Sequence, residues 1–204
     1  LAFKYRTPAM ILADGIVGQM MEKVVLPPAR PRRTAEQLAK QCPWAITGKP
    51  ASRKQNIITS LELDTSVMEE NNNRFQRTYR LIEQNEARCE EYMTEDAEYL
   101  FVAFGSIARI CKKVIEEMRQ QGIKVGLLRP ITLWPFPVEA VERVSRQVKG
   151  MLVVELNAGQ MIEDVKLASQ CRIPTYHFGR LGGIVPNPQE VADAFIKFFP
   201  DSKQ

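Results

Sequence analysis

The sequence predicts an α/β fold in which residues 97–200 form a parallel-sheet domain. Short apolar runs bounded by turn residues are typical of strands buried on both faces, and they occur at 99–104, 124–128, 151–156 and 174–178. Between and after these runs, apolar residues recur at helical spacing, which predicts helices at 107–118, 138–148, 160–169 and 188–199. Because right-handed crossovers join strands that alternate with helices, the strands are expected to run parallel.

Residues 1–26 predict the tail of a different α/β unit. The apolar run AMILA at 9–13 lies between Thr7-Pro8 and Asp14-Gly15, a pattern that predicts a buried strand. A helix is predicted from Ile16 to about Lys23. Since the sequence opens with Leu1 in the middle of this pattern, we expect the chain to be a fragment of a longer protein. The missing part would be absent from the gene product, removed by deliberate truncation or lost by proteolysis.

Residues 27–96 predict a linker with little apolar content at its start. The segment PPARPRR at 27–33 is proline-rich and basic, so it is expected to be extended. One or two helical turns are predicted at 34–41. Trp44, Gly48 and Pro50 then indicate an irregular stretch.

One long helix is predicted in the second half of this linker, from Ser66 to about Tyr92. Ser66 and Glu69 have the spacing of a capping box, in which each side chain accepts a hydrogen bond from a free amide at the helix start. An apolar stripe at helical spacing predicts one buried face. The residues of this stripe are Phe75, Tyr79, Ile82 and Cys89.

Composition excludes several classes of protein. The four cysteines are widely spaced with no C-x-x-C pair, which predicts free thiols in a reducing cytoplasm and no metal site. They are Cys42, Cys89, Cys111 and Cys171. No apolar run approaches the ~18 residues that a membrane span needs. Arg30, Arg32 and Arg33 lack interleaved aromatic residues, so no nucleic-acid partner is expected.

Ligands of open α/β sheets meet the loops that follow the carboxyl ends of the strands. Gly105-Ser106 opens a helix whose amides could hold an anion, although a tight turn explains the same residues. The absence of a G-x-G-x-x-G or P-loop motif argues against a nucleotide site. His177 is expected to be a structural or interface residue, and Glu155 a buried acid with no evident partner. The apolar loop 132–137 is expected to pack under its own domain or against another subunit.

Several blocks along the chain form a recognisable set. They are KYRTP at 4–8, DG at 14–15, GQMME at 18–22, RPITLWPFP at 129–137, NAGQM at 157–161, EDV at 163–165 and GRLGG at 179–183. Together they resemble the α subunit of 2-oxoacid:ferredoxin oxidoreductases over essentially the whole chain. With the basic linker, NIITSLELD at 56–64 looks most like the subunit of the 3-methyl-2-oxobutanoate (2-ketoisovalerate) enzymes. The 2-oxoglutarate enzymes are the alternative.

This resemblance implies an organisation and a chemistry. It implies an N-terminal domain that supports the aminopyrimidine end of thiamine diphosphate (residues 1–26 being its tail), then the linker and a transketolase C-terminal-like α/β domain at 97–200. A β subunit would hold the diphosphate and Mg²⁺, and γ- or δ-type subunits the iron–sulfur clusters. The reaction implied is oxidative decarboxylation of a 2-oxoacid with coenzyme A, which gives acyl-CoA, CO₂ and reduced ferredoxin. The activating glutamate would lie in the part absent here, so no catalytic residue is assigned and the fragment alone is expected to be inactive.

Five polar residues at or just beyond predicted strand ends are the candidates for positions near the active site or a subunit interface. They are Asp14, Gln19, Arg129, Asn157 and Gln160. Each type of residue is also common in turns and helix caps. The alternative of another class, a non-catalytic α/β binding module, would need a phosphate loop, which the sequence lacks.

Overall fold

The computed structural model describes residues 1–45, 48–49, 51–52 and 54–203, so Pro50 of the predicted irregular stretch lies outside the described residues. It contains two compact units, residues 1–20 with 77–204, and residues 21–76. These units do not test the domain boundaries predicted after residues 26 and 96, because those boundaries refer to domains of the complete protein. They stay predictions.

The larger unit is built on a five-stranded sheet. Its strands are β1 (Cys89–Tyr92), β2 (Tyr99–Val102), β3 (Val125–Pro130), β4 (Gly150–Glu155) and β5 (Thr175–Gly179). The strand order is β1-β3-β2-β4-β5, and the last four strands along the chain are parallel. The predicted α/β fold with a parallel sheet is confirmed. The antiparallel edge strand β1 is an addition to it.

Helices cover both faces of the sheet. They are α5 (Gly105–Gln120), α6 (Val138–Ser145), α7 (Met161–Ala168) and α8 (Pro188–Phe198). One buried cluster joins the sheet to α5 and α8 and includes Phe101 and Phe195, whose rings are 5.3 Å apart. The other joins it to α6 and α7. Each large apolar side chain buried in these clusters stabilises the fold by about 1.5–3 kcal/mol.

Two features position α8 and the chain after it. Asn187 and Glu190 form a capping box at the start of α8, and Pro188 supplies a fixed backbone angle at the first helical position. After the helix, the ring of Phe199 lies over Gly150, where a β carbon would be 2.4 Å from it. The first residue of β4 therefore has no room for a side chain.

The N-terminal segment differs from its prediction. Residues 9–13 are not a buried strand: they have no regular structure, and Met10 and Ile11 are 84% and 95% exposed. A strand needs a neighbouring strand for its backbone hydrogen bonds, and none of the five strands pairs with this run. Short helices occur instead on either side of it, α1 (Ala2–Tyr5) and α2 (Gly15–Gln19). Helix α2 ends before the predicted limit because Met20 is extended.

The smaller unit contains α3 (Ala35–Gln41), which confirms the helical turns predicted at 34–41. The hydroxyl of Thr34 accepts from the Gln37 amide at 3.2 Å, and the Gln37 side chain accepts from the Thr34 amide at 3.0 Å. This reciprocal capping box satisfies two amides that have no partner within the helix. Nearby, the side-chain amide of Asn56 donates to the Pro43 carbonyl at 3.3 Å.

The long helix α4 spans Thr65–Glu86, and its predicted capping box is wrong. Asp64 caps the helix instead, accepting hydrogen bonds from the Ser66 amide and hydroxyl. The negative charge of an aspartate at a helix start also suits the helix dipole, which explains why it displaces the predicted pair. Of the predicted apolar stripe only Ile82 is buried, and Cys89 belongs to β1 rather than to the helix.

The end of α4 holds a buried carboxylate. Glu86 accepts hydrogen bonds from the Lys4 ammonium at 2.7 Å, the Tyr5 hydroxyl at 2.8 Å and the Arg88 guanidinium at 2.9 Å. The bonds from Lys4 and Tyr5 lower the pKa of Glu86 to about 2. The ionised carboxylate thus connects α1 to α4.

The close approach at Gly126 predicts a large effect of one methyl group. A β carbon on Gly126 would lie 2.5 Å from the Met93 carbonyl oxygen, so the Gly126→Ala variant should force backbone movement within the sheet. We expect the free energy of unfolding to fall by about 1–3 kcal/mol, measured by urea denaturation. The matched control is Gly18→Ala, because nothing lies within 4 Å of a β carbon there. An equal loss in both variants would contradict the assigned packing.

The lowered pKa of Glu86 predicts a pH-dependent contribution to stability. Since the folded-state pKa lies below the ordinary value of 4.5, the contribution is complete above 4.5 and is lost as the pH falls towards about 2. The Glu86→Gln variant should therefore be less stable than wild type at pH 6, with the difference shrinking between pH 4.5 and 2. The measurement is urea denaturation of both proteins at several pH values. Glu117→Gln, which breaks only an exposed pair with Lys113, is the control and should change little.

Candidate functional site

The carboxyl ends of the four parallel strands share one edge of the sheet, where ligands of such folds bind. Two groups of the predicted residues occur at this edge. Asn157 and Gln160 lie in the turn between β4 and α7, while Arg129 is in β3 and Asp14 contacts the start of α5. Gln19 ends α2 with an exposed side chain and, among the described residues, makes no hydrogen bond to either group.

Glu155 organises the turn between β4 and α7. Its side chain is almost completely buried, with 2% of the residue exposed. Its carboxylate accepts from the amides of Met161 at 2.8 Å, Ile162 at 3.1 Å and Gln160 at 3.3 Å. Amides in the first turn of a helix have no partner within the helix, and the helix dipole favours a negative charge beside them. The buried acid therefore has its partners in the helix that follows it.

Asn157 completes the same turn. Its side-chain amide donates to Glu155 at 3.0 Å, and its side-chain oxygen accepts from the amides of Gly159 at 2.7 Å and Gln160 at 3.2 Å. Gly159 has a φ of 104°, a conformation that favours glycine. Both candidate residues are thus held in place, Asn157 by its side chain and Gln160 by its main chain.

His177 of β5 faces this turn. Its Nε2 lies 3.9 Å from the nearer Glu155 oxygen, too far for a hydrogen bond, and this buried atom has no hydrogen-bond partner among the described residues. A cavity of about 660 Å³ opens beside it. The cavity lining includes Asn157, His177, Phe178, Asp193 and Lys197. Its lining thus combines aromatic residues with charges of both signs.

Asp14 fills the position that the sequence offered to an anion. One oxygen accepts from the Val17 amide at 2.9 Å, and the other accepts from the Ser106 hydroxyl at 2.7 Å. Both bonds hold the pKa of Asp14 below its usual value, and the bond from the Val17 amide has the larger effect. The turn at Gly105-Ser106 therefore receives a carboxylate from its own chain.

Arg129 is held by an ion pair. Its guanidinium lies 2.7 Å from Glu90 of β1, which also binds Lys112. Arg129 lines a second cavity, of about 570 Å³, together with Gly105 and Trp134. Trp134 is 57% exposed and contacts Tyr79 edge-on, with ring centroids 5.6 Å apart. Other residues of the aromatic loop, Leu133 and Phe136, pack under the domain itself.

In both groups the candidates already have partners within the chain: Asp14 and Arg129 through their side chains, Asn157 through its side chain and Gln160 through its backbone amide. Sequence reasoning missed the partners of Glu155 and its approach to His177. The signal for the first was present: an acid at a strand end, followed within a few residues by a helix start.

The described residues include no group of three or more side chains able to hold a metal ion. Nor does any described helix have the length and apolar character required to cross a membrane.

The amide contacts of Glu155 predict the effect of an isosteric substitution. In the Glu155→Gln variant one acceptor oxygen becomes an amide donor that faces other donors. We expect a loss of about 1–3 kcal/mol in the free energy of unfolding, measured by urea denaturation. The control is Glu163→Gln, on the exposed side of the same helix, which should be near neutral. Equal stability of the Glu155→Gln variant and wild type would show that the carboxylate is not needed to hold the turn.

Comparisons with known proteins give consistent matches. The family described as pyruvate:ferredoxin oxidoreductase core domain II matches residues 97–191. Ketoisovalerate oxidoreductase subunit VorB from Methanothermobacter marburgensis is 45% identical over 175 residues, which is 84% of this chain and 47% of the relative. The 2-oxoglutarate synthase subunit KorA from Archaeoglobus fulgidus is 33% identical over 184 residues, which is 89% of this chain and 51% of the relative. The chain thus spans about half the length of these curated relatives.

One solved structure supports the fold. It is a 2-oxoglutarate:ferredoxin oxidoreductase from Magnetococcus marinus, with a TM-score of 0.54 and 17% sequence identity over 70% of this chain and 24% of that one. At this identity the likeness concerns the fold alone. The predicted α/β parallel-sheet domain is confirmed at that level, and its likeness to the transketolase C-terminal domain stays a prediction.

Proposed function

Because the chain belongs to the family of 2-oxoacid:ferredoxin oxidoreductase subunits, we propose that it is the C-terminal part of an α subunit acting on 3-methyl-2-oxobutanoate. The complete enzyme would convert the 2-oxoacid and coenzyme A into acyl-CoA and CO₂, and pass a pair of electrons to ferredoxin. The observation that carries the substrate is the 45% identity to a ketoisovalerate oxidoreductase subunit, against 33% to a 2-oxoglutarate synthase subunit. That second identity makes 2-oxoglutarate the alternative substrate.

The contribution of this part would be architectural. The described acids at the carboxyl edge, Asp14 and Glu155, already accept hydrogen bonds from partners within the chain, which does not fit a thiamine diphosphate site there. Bound elsewhere in the complex, thiamine diphosphate would supply the carbanion and electron-sink chemistry that this reaction needs. We assign that site to the rest of the α subunit and to a β subunit. The iron–sulfur clusters are assigned to γ- or δ-type subunits that pass electrons to ferredoxin.

The N-terminal residues support this division. Residues 1–26 are proposed as the tail of the domain on the aminopyrimidine side, and 27–96 as the linker to the domain at 97–200. The exposure of Met10 and Ile11 fits a run that is covered in the complete enzyme. Asn157 and Gln160, in the fixed turn after β4, are proposed to face the active site or a subunit interface. The cysteines of the described residues are free thiols, which suits a reducing cytoplasm.

The substrate is tested by turnover of the complex purified with its native partners. Under anaerobic conditions, with coenzyme A and a viologen acceptor, 3-methyl-2-oxobutanoate should exceed 2-oxoglutarate and pyruvate in kcat/KM by roughly tenfold or more. A pocket that takes its branched apolar side chain would leave the second carboxylate of 2-oxoglutarate without a partner and would make fewer contacts with the methyl group of pyruvate. Reactions without coenzyme A are the control. Activity with 2-oxoglutarate alone would make 2-oxoglutarate, rather than 3-methyl-2-oxobutanoate, the assigned substrate. No activity from a complex shown to contain thiamine diphosphate and iron–sulfur clusters would contradict the proposed reaction.

The role of the fixed turn is tested in the same complex. Replacing Asn157 and Gln160 together by Ala should reduce turnover or the yield of assembled complex, since the turn loses the side chain that shapes it. Gln121→Ala, at the exposed end of α5, is the control. If the double variant assembles and turns over like wild type, the assignment of these two residues to the active site or an interface is wrong.

A further inference from the structure

Strand β5 has one row of backbone groups that pair with no other strand in the described part of the chain. It is the last strand in the order of the sheet and, among the described residues, pairs with β4 alone. The Pro174 carbonyl accepts from Met151 at 2.9 Å, and the Arg180 amide donates to Glu155 at 3.3 Å. In a parallel pair the residues that face the neighbour alternate along the strand. The amides and carbonyls of Thr175, His177 and Gly179 therefore point away from β4.

The two edges of the sheet differ in charge. At the β1 edge, Glu90 binds Arg129 and Lys112, and Glu91 binds Arg143. Charged residues of this kind protect an edge strand from pairing with another chain. The sequence of β5 is TYHFG, with no acid, lysine or arginine. Of the two edges of the described sheet, the β5 edge therefore lacks this protection.

Apolar side chains surround the open edge. Leu181 and Ile184, in the loop after β5, are 59% and 54% exposed. Leu167, on the helix that packs against β5, is 77% exposed. Tyr176 stacks on Phe198 at 4.7 Å yet stays partly exposed. An extended chain laid along β5 would cover this rim while it satisfied the free backbone groups.

We propose that the occupant is β5 of a second copy, paired antiparallel about a two-fold axis at His177. In this register Thr175 lies opposite Gly179 of the second copy, and the outward amides and carbonyls of both strands meet as hydrogen-bonded pairs. Tyr176 lies opposite the second copy's Phe178, an aromatic cross-strand pair of the kind that stabilises antiparallel sheets. The two five-stranded sheets become one continuous sheet across the dimer.

The charges near the strand permit this approach. Arg180, directly after β5, is neutralised by Glu190 at 2.5 Å, and Arg172, before it, lies 3.5 Å from Glu142. Asp193 and Lys197, one charge of each sign, also line the cavity beside β5. Because β5 carries no acid, lysine or arginine, self-pairing does not oppose such charges across the two strands, in contrast to the β1 edge with its two glutamates.

The test measures both the mass and the backbone protection of the full chain. Sedimentation velocity at micromolar concentrations should give a concentration-dependent dimer. Hydrogen exchange followed by NMR should show slow exchange at Tyr176 and Phe178 in every state, since these amides bond to β4. The amides of Thr175, His177 and Gly179 should be protected in the dimer and exchange at least about tenfold faster on dilution to monomer.

Thr175→Lys places a charge at the pairing edge and should raise the dimer dissociation constant by roughly tenfold or more, with an unchanged circular dichroism spectrum. Gln121→Lys, which adds the same charge at the far end of α5, should leave it unchanged. A monomer at all concentrations overturns the proposal. So does a dimer that is insensitive to Thr175→Lys, or one in which the three outward amides exchange as fast as in the monomer.

Discussion

Glu155 ends strand β4 with a buried carboxylate that accepts hydrogen bonds from the first amides of α7 and from the side chain of Asn157. These bonds fix where the strand stops, where the helix begins and how the turn between them is shaped. The next strand depends on the same turn, because a β carbon on Gly179 would lie 2.3 Å from the Asn157 carbonyl oxygen. One carboxylate thus links β4, α7 and β5 at the edge where a parallel sheet meets its ligands.

The sheet domain could be predicted from the sequence because its strands and helices each carry a strong local signal. Continuous apolar runs gave the four parallel strands, and periodic apolar residues gave the helices between them. The edge strand β1 has no such signal: Glu90 and Glu91 occupy it and bind cations from α5, β3 and α6. The run at 9–13 fails for the opposite reason, since its apolar residues specify a buried strand but no neighbouring strand pairs with it.

The candidate site was predictable in position but not in chemistry. Strand ends are visible in the sequence, so Arg129 and Asn157 could be placed at the correct edge. The partners of the charged candidates lie far from them in the chain: Asp14 accepts a hydrogen bond from Ser106, and Arg129 forms an ion pair with Glu90. No local pattern encodes such contacts. The structure therefore adds the partners that hold Asp14, Arg129 and Asn157 in place, while their position near an active site or an interface stays a proposal.

The contact between Phe199 and Gly150 bears on how the protein can be handled. The ring covers the first residue of β4 and lies 4.8 Å from the ring of Tyr99, at the start of the neighbouring strand β2. Trimming the chain back to the end of α8 would uncover the amino ends of both strands. An affinity tag or a fusion partner is therefore best joined beyond the short 3₁₀ turn at Pro200–Lys203, where it leaves the Phe199 ring packed over Gly150.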